Sequence, residues 1–292
     1  MFYNSNKERP LSSKLMNIYT LALKEDIEPN GDLSTKYFES KELKAQIIAK
    51  EAGIFACGYL IEAILEAYKK LSGSDFNYVL NLKFKDGGRF VRKDVLCEIV
   101  APSEVLLICE RTILNFLQRT CAIATKASHL VEKIESFDCE VLDTRKTSPG
   151  MRQLEKDAFK IGGGTNHRLN LSDKAMLKEN HLKLLGISVI DGIKKLKSQN
   201  LPIVVEINSD NLSLLEAVCK ENIEQIMLDN FPATDLSPIV EKIRGFNPAI
   251  KIEASGGINE LNIEKYARSG VDYVSSAQAS RAQNLDLSMI VS

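Results

Sequence analysis

The chain has 292 residues, with 38 Lys and Arg against 39 Asp and Glu, so its formal net charge is −1. Apolar residues make up 44% and charged residues 26%, a globular composition that excludes a disordered, collagenous or coiled-coil protein. A charge this close to zero argues against a general binder of nucleic acid or other polyanions, which would be basic overall. No apolar run reaches the ~18–20 residues that span a bilayer. The N-terminus, MFYNSNKERPLSSK, is polar and has no apolar core of a signal peptide. No membrane segment and no export are therefore expected. The six cysteines, Cys57, Cys97, Cys109, Cys121, Cys139 and Cys219, form no C-x-x-C, and their spacings are irregular. That argues against zinc ribbons and disulfide frameworks, and points to free, mostly buried thiols in a cytoplasmic protein.

In chain order, residues 11–26 place Leu11, Leu15, Ile18 and Ala22 on one helical face, and Asn30-Gly31-Asp32 breaks the pattern. Residues 45–54 read as a strand, and 59–71 as a helix closed by Gly73. Over 76–108, short alternating runs (FNYVLNLKF, RFV, VLCEIV, EVLLIC) are punctuated by Asp86-Gly87-Gly88 and Pro102, and predict antiparallel strands. From Glu110 the pattern changes. A long helix over 110–136 leads into strands at 140–143, 203–207, 225–228, 250–254 and 273–276. Helices are expected around 152–160, 185–199, 211–221, 235–245 and 259–268. This alternation implies parallel strands with right-handed crossovers. Polar residues end nearly every strand: Asp143 to Lys146, Glu206, Asp229 and Ser255. In a barrel these ends converge on one mouth, so a barrel is favoured over an open sheet.

The densest chemical signal is residues 145–183, with nine Lys and Arg against four acids, plus His167 and His181. A local cation excess in a neutral chain implies an anionic ligand. Arg145, Lys146, Arg168 and Lys178 flank turns and the run Gly162-Gly163-Gly164, and are read as ligand contacts. Lys156, Lys160 and Lys183 are read as a solvated helix face. Ser255-Gly256-Gly257 lies between a strand and a helix expected near Asn259, where free N–H groups suit a phosphate. Glu206 and Asp229 could hold ribose hydroxyls or Mg²⁺, or offset developing positive charge. A non-catalytic anion binder would gain nothing from two such acids. His129 is read as a plain helix residue. No nucleophilic triad, no metal-ligand spacing and no dinucleotide or P-loop motif is present.

Residues 143–181, DTRKTSPGMRQLEKDAFKIGGGTNHRLNLSDKAMLKENH, resemble the signature of the quinolinate phosphoribosyltransferases. LALKEDIEPNGDLST at 21–35, Glu110-Arg111-Thr112 with Leu114-Asn115, Ile123-Ala124-Thr125, VEIN, MLDN, EASGGI and GVDYVSSA follow in family order. The resemblance covers nearly the whole chain. It implies an α/β protein with an N-terminal α/β sandwich domain, taken as 1–110. An open seven-stranded α/β barrel follows, taken as 111–292, with a last helix packing back on the first domain. It implies transfer of phosphoribosyl from phosphoribosyl pyrophosphate (PRPP) to quinolinate with loss of CO₂. The products are nicotinate mononucleotide and pyrophosphate, in de novo NAD synthesis. Mg²⁺ accompanies PRPP, no organic cofactor is needed, and the enzyme is a homodimer.

By the same resemblance, Lys146, Glu206 and Asp229 are catalytic. Thr144, Arg145, Lys146, His167, Arg168 and Lys178 line the substrate pocket, and Arg111 comes from the neighbouring subunit. Glu206 and Asp229 hold the ribose and its metal, while Ser255, Gly256 and Gly257, with Ala277 and Gln278 opposite, cradle phosphate. The chain departs from the family at Ala277, usually glycine, at Asp157, usually tyrosine, at Asn170, usually glycine, and over Arg119–Ala122. The alternative is a paralogous group associated with molybdate transport, which shares the fold but has a different or unknown substrate.

Overall fold

The computed structural model describes residues 13–178, 180, 181 and 186–291. Leu11, Glu179 and Lys183 lie outside the described residues. The chain divides into two compact units. One takes in the residues up to Thr125, Pro149–Gly162 and those from Ala282 onward; the other takes in Lys126–Ser148 and Gly163–Arg281.

In the first unit, α1 (Ser13–Ile27) buries Leu15, Tyr19 and Leu23. These are four residues apart and so share one face. Strand β1 (Glu42–Ala49) alternates, with Ala45, Ile47 and Ala49 buried. Two-residue β2 (Gly53–Ile54) precedes α2 (Tyr59–Ser72), which ends at Gly73 in the left-handed region (φ 68°). That conformation is one glycine adopts at little cost, and it closes the helix as expected. Strands β3 (Val79–Leu82), β4 (Arg89–Phe90) and β5 (Val95–Pro102) follow.

The expected strand EVLLIC is instead the start of α3 (Ser103–Glu132), which carries the chain from the first unit into the second. Its buried Val105, Leu106, Cys109, Ile113, Leu114 and Leu117 recur at helical spacing. Pro102 cannot donate a ladder hydrogen bond beyond itself, so the strand stops there and the helical period wins.

The expected last helix is a strand, β12 (Leu287–Val291). It pairs antiparallel with the free edge of β1 from Ala45↔Val291 to Ala49↔Leu287, giving a sheet of order β12-β1-β5-β3. Its β-branched Ile290 and Val291 favour that pairing over a helix end. Helix α4 (Arg152–Ile161) also belongs to this unit and buries Leu154, Glu155, Lys156, Ala158 and Phe159. Lys156 is therefore buried, not part of a solvated face. Glu155 beside it is held by the Arg119 guanidinium, whose NH2 lies 2.9 Å from Oε1.

In the second unit, β6 (Glu140–Leu142), β7 (Ala175–Leu177), α5 (Val189–Lys197), β8 (Ile203–Ile207), α6 (Leu215–Cys219), β9 (Gln225–Asp229), α7 (Ala233–Phe246), β10 (Lys251–Ser255), α8 (Ile263–Ala267) and β11 (Tyr273–Ser275) alternate. A 3₁₀ turn over Ser209–Leu214 precedes α6, so the helix expected over 211–221 is shorter than its sequence pattern. All pairings are parallel, in the order β6-β11-β10-β9-β8-β7. The last strand therefore pairs with the first, as cyclic closure requires. Thr165 makes a single parallel bridge to Leu142 on the other side of β6. Six strands and this bridge segment account for the seven positions of an open barrel. Among the described residues, only the join between the Thr165 segment and β7 lacks pairing.

The cysteines are all unpaired, and all are buried except the half-buried Cys139. Burial pushes the Cys139 thiol up to about 12, with Asp272 and Glu140 adding to the effect. Native protein at pH 8 is therefore expected to react with less than ~1 equivalent of Ellman's reagent per chain over minutes, against all six after unfolding. Rapid native labelling of two or more thiols would contradict the burial described here.

Candidate active site

A cavity of about 510 Å³ opens at the C-terminal ends of the parallel strands, entirely within the second unit. The chain direction explains the site. Each parallel strand delivers its last side chains to the same end, and alternation aims every second one inward. The segment after β6 supplies Asp143, Thr144, Arg145 and Lys146, β7 leads to Lys178, and β8 and β9 supply Glu206 and Asp229. His167 and Arg168 reach the cavity because Thr165 lies alongside β6. The Thr165 N–H donates to the Val141 carbonyl and the Asp143 N–H to the Thr165 carbonyl, at 2.8 and 3.2 Å. The three glycines before Thr165 do not line the cavity, so their part is to turn the chain into that position; Gly163 has φ 94°.

The cations are held in defined places. The His167 N–H donates to Asp143 Oδ1 at 2.8 Å, and the Arg168 N–H to His167 Nδ1 at 2.6 Å. The Arg168 guanidinium is 9% exposed and donates to the Lys174 carbonyl at 2.9 Å. Burial, and then the neighbouring Arg145 charge, lower the Arg168 pKa below its usual value, with Asp173 opposing. Arg145 Nε is buried without a hydrogen-bond partner among the described residues. Lys178 forms an ion pair with Glu206. Two guanidiniums whose like charges repel gain from an anion between them, so this wall of the cavity is preset for negative ligands.

The opposite wall is a loop. Gly256 (φ 98°) and Gly257 (φ 64°) both have backbone angles that side chains rarely adopt. The Asn230 N–H donates to the Ser255 carbonyl at 2.9 Å, which brings the loops after β9 and β10 together. The helix expected near Asn259 begins only at Ile263. The intervening turn is held by Asn side chains: the Asn259 N–H donates to Asn262 Oδ1 at 2.7 Å, and both side-chain amides donate to the Gly257 carbonyl. Asx turns of this kind compete with helix formation. A phosphate there would therefore meet loop N–H groups and not a helix end.

Eleven residues expected in the site line this one cavity: Thr144, Arg145, Lys146, His167, Arg168, Lys178, Glu206, Asp229, Ser255, Gly256 and Gly257. Ala277 and Gln278 do not line it. Gln278 Oε1 instead accepts the Glu260 N–H at 2.9 Å, in the turn that follows the glycine loop. Arg111 is exposed on α3, in the first unit. His129 is exposed on its helix, and His181 Nδ1 accepts the Lys178 N–H at 3.2 Å. Met176, Met227, Asn230, Glu253 and Ser275 also line the cavity, and the sequence did not single them out.

Comparison with known proteins supplies the family. The model of the quinolinate phosphoribosyl transferase N-terminal domain matches residues 18–121, and that of its C-terminal domain matches 123–290. A protein of Bacillus subtilis named "Probable nicotinate-nucleotide pyrophosphorylase [carboxylating]" is 36% identical over 283 residues, 95% of this chain and 92% of that protein. The Mycobacterium leprae "Nicotinate-nucleotide pyrophosphorylase [carboxylating]" is 32% identical, covering 87% of this chain and 88% of that one. The solved structure of the nicotinate-nucleotide pyrophosphorylase from Francisella tularensis superposes with a TM-score of 0.86 at 29% identity, over 97% of this chain and 98% of that one. NadC from Streptococcus pyogenes gives 0.85 at 33% identity, over 96% of each chain. With both domain models matched in order along nearly its full length, the chain belongs to the quinolinate phosphoribosyl transferase family.

Proposed function

We propose that the chain transfers the phosphoribosyl group of PRPP to the ring nitrogen of quinolinate and releases CO₂. The products are nicotinate mononucleotide and pyrophosphate, a step of de novo NAD synthesis. One observation carries this reading: Arg145, Lys146, His167, Arg168 and Lys178 meet in a single cavity with Glu206, Asp229 and the Gly256-Gly257 loop. Quinolinate brings two carboxylates and PRPP a pyrophosphate and a 5′-phosphate. A cation-lined wall suits the carboxylates, and the glycine loop suits a phosphate. Two acids on neighbouring strands suit the ribose hydroxyls and the positive charge that grows at C1 as pyrophosphate departs. The relatives reported above carry the carboxylating name, so the molybdate-associated alternative is not favoured.

Lys146, Glu206 and Asp229 are the proposed catalytic residues. Lys146 neutralises negative charge at the mouth; its N–H is fixed by Thr144 Oγ1 at 3.1 Å. Arg145, Arg168 and Lys178 orient the pyridine so that its nitrogen faces C1. That positioning converts an encounter into an oriented reaction. Once the nitrogen is ribosylated and cationic, the C2–carboxylate bond breaks, CO₂ leaves, the electron pair left at C2 is stabilised by the ring cation, and a proton from water then takes the place of CO₂ at C2. No protein nucleophile is required.

Mg²⁺ fits this site as a partner of PRPP. Among the described residues, no group of three or more His, Cys, Asp or Glu is arranged to hold a metal ion by itself. Glu206 and Asp229 offer two carboxylates at the cavity, the number Mg²⁺ commonly takes alongside phosphate oxygens. When bound, the ion would neutralise the leaving pyrophosphate. No helix among the described residues is long and apolar enough to cross a membrane. We place the enzyme in the cytoplasm, in keeping with its unpaired cysteines.

The direct test is incubation with PRPP, Mg²⁺ and quinolinate while following CO₂ and nicotinate mononucleotide. Product with nicotinate but not quinolinate would reject the reading, and PRPP binding without turnover of any pyridine would leave only an anion binder.

The active unit is proposed to be a homodimer in which Arg111 serves the neighbour's cavity. Arg111→Ala and Arg168→Ala homodimers are each expected to be nearly inactive. Mixed after reversible dissociation, they should recover about one quarter of wild-type activity, because half of the dimers are hybrids with one intact site. If Arg111 acted within its own chain, mixing would recover nothing.

A further inference from the structure

The proposed reaction uses Glu206 and Asp229 and gives no task to a third strand carboxylate, Glu253 in the middle of β10. Glu253 is 0% exposed and lines the cavity. Its Oε2 accepts a hydrogen bond from the Gln225 side-chain amide and lies 3.2 Å from His167 Nε2. Its Oε1 is buried with no hydrogen-bond partner among the described residues. Gln225, itself 4% exposed, is reached on its other side by Lys174 Nζ at 3.4 Å. A polar line thus runs from Lys174 through Gln225 and Glu253 to His167.

On β7, β8 and β9, by contrast, Met176, Val204 and Met227 form a buried apolar cluster. Barrel interiors are normally filled by branched apolar side chains, and a buried carboxylate is costly unless both oxygens are satisfied. A carboxylate kept only for the fold would have its two oxygens paired. Glu253 sets one oxygen against Gln225 and a site histidine, and its other oxygen is buried with no hydrogen-bond partner among the described residues.

The opposite nitrogen of the same ring fixes what Glu253 holds. His167 Nδ1 accepts the Arg168 N–H at 2.6 Å, which assigns the ring hydrogen to Nε2, and Nε2 lies 3.2 Å from Glu253 Oε2. The His167 N–H is tied to Asp143 in turn. We propose that Glu253 is a positioning residue. It holds the His167 imidazole in the Nε2–H form against the cavity wall, and through that ring it fixes the Arg168 backbone. It thereby sets affinity for the pyridine dicarboxylate and not for PRPP. The consequence for substrate rests on the quinolinate reaction proposed above; the Glu253–His167 pairing does not.

The test uses full-length Glu253→Gln, which keeps the shape and removes the charge, with His167→Ala and the double variant. Partners one layer behind a ligand typically carry 10- to 100-fold effects, so Glu253→Gln is expected to raise the quinolinate KM at least ~10-fold and leave the PRPP KM within ~2-fold. In the His167→Ala background, adding Glu253→Gln should change the quinolinate KM by less than ~2-fold, because the two act as one unit. Glu253→Asp, which retains the charge on a shorter arm, should fall between wild type and Glu253→Gln. Separately, imidazole ¹⁵N spectra of the three histidines should show Glu253→Gln moving the His167 signals and leaving those of His129 and His181 in place. Unmoved His167 signals, multiplying losses in the double variant, or equal rises in both KM values would each overturn the proposal. Wild-type protein that fails to turn over quinolinate would overturn the reaction instead, while the spectra still decide the pairing.

Discussion

Replacing Arg168 by alanine is expected to lower kcat/KM for quinolinate by at least ~100-fold, since a charged contact in a screened site is worth about 3 kcal/mol and each ~1.4 kcal/mol is tenfold in rate. The geometry sharpens this expectation. Arg168 is the most buried cation of the cavity, 9% exposed, and its NH1 is anchored on the Lys174 carbonyl at 2.9 Å. The fork is therefore already oriented before a carboxylate arrives, and little rotamer freedom remains to be lost on binding. Arg168→Lys keeps the charge and loses the planar fork, so it should recover part of the activity, remaining ~10-fold or more below wild type. Removing the guanidinium also frees the carbonyl of half-buried Lys174, so melting curves must accompany the kinetics. A folded Arg168→Ala protein with near-wild-type rates would mean that the dicarboxylate binds elsewhere.

How much of this site could be read from the sequence follows from how barrels deliver side chains. Asp143 to Lys146, Glu206, Asp229 and Ser255 were recognisable because each is polar at the end of an apolar run, and parallel strands bring such ends to one mouth. His167 and Arg168 were recognisable from the glycines before them, although those glycines turn the chain and do not touch the cavity. Glu253 was hidden for a physical reason. It sits two residues before the strand end, between Ile252 and Ala254, and reads as a core position. The available signal was parity: Glu253 and Ser255 lie on the same face of β10, so an acid there must point into the barrel. Met176 and Met227 gave no signal, since an inward methionine looks the same whether it meets a ligand or another side chain.

The same logic accounts for the elements that differ. Ala175–Leu177 is a strand of three residues, too short for any period to be visible, and its place is set by pairing with β8. EVLLIC carries both a strand's composition and a helix's spacing, and the proline before it decides between them. Leu287–Val291 is a strand because β1 offers an unpaired edge, a tertiary fact that no local window contains. Lys156 illustrates the reverse error. A lysine on an amphipathic helix reads as solvated, yet α4 buries the adjacent Leu154, Glu155 and Lys156 together.

The second large effect is expected at Gly256, and it separates backbone geometry from charge. A Cβ built there would stand 2.2 Å from Asn230 Oδ1 and 2.7 Å from the Asn230 backbone nitrogen, at a φ of 98°. The conformational penalty for a side chain at positive φ is ~1–2 kcal/mol, and forced overpacking adds ~1–3 kcal/mol. Gly256→Ala must therefore either push the loops after β9 and β10 apart or leave the strain in place. Either outcome displaces the N–H groups proposed to meet phosphate, so kcat/KM for PRPP should fall ~100-fold or more, with a Tm lower by roughly 5 °C. Adding Asn230→Ala removes the side-chain clash but leaves the backbone nitrogen at 2.7 Å, so the double variant should not regain wild-type activity. Gly257→Ala is the internal control for stability. Its φ is 64° and nothing stands within 4 Å of the added Cβ, so only the conformational penalty remains and Tm should drop by no more than a few degrees. Equal losses of Tm at the two glycines, or a fully active Gly256→Ala enzyme, would show that the contact between the Asn230 and Gly256 loops does not hold the phosphate side of the cavity in shape.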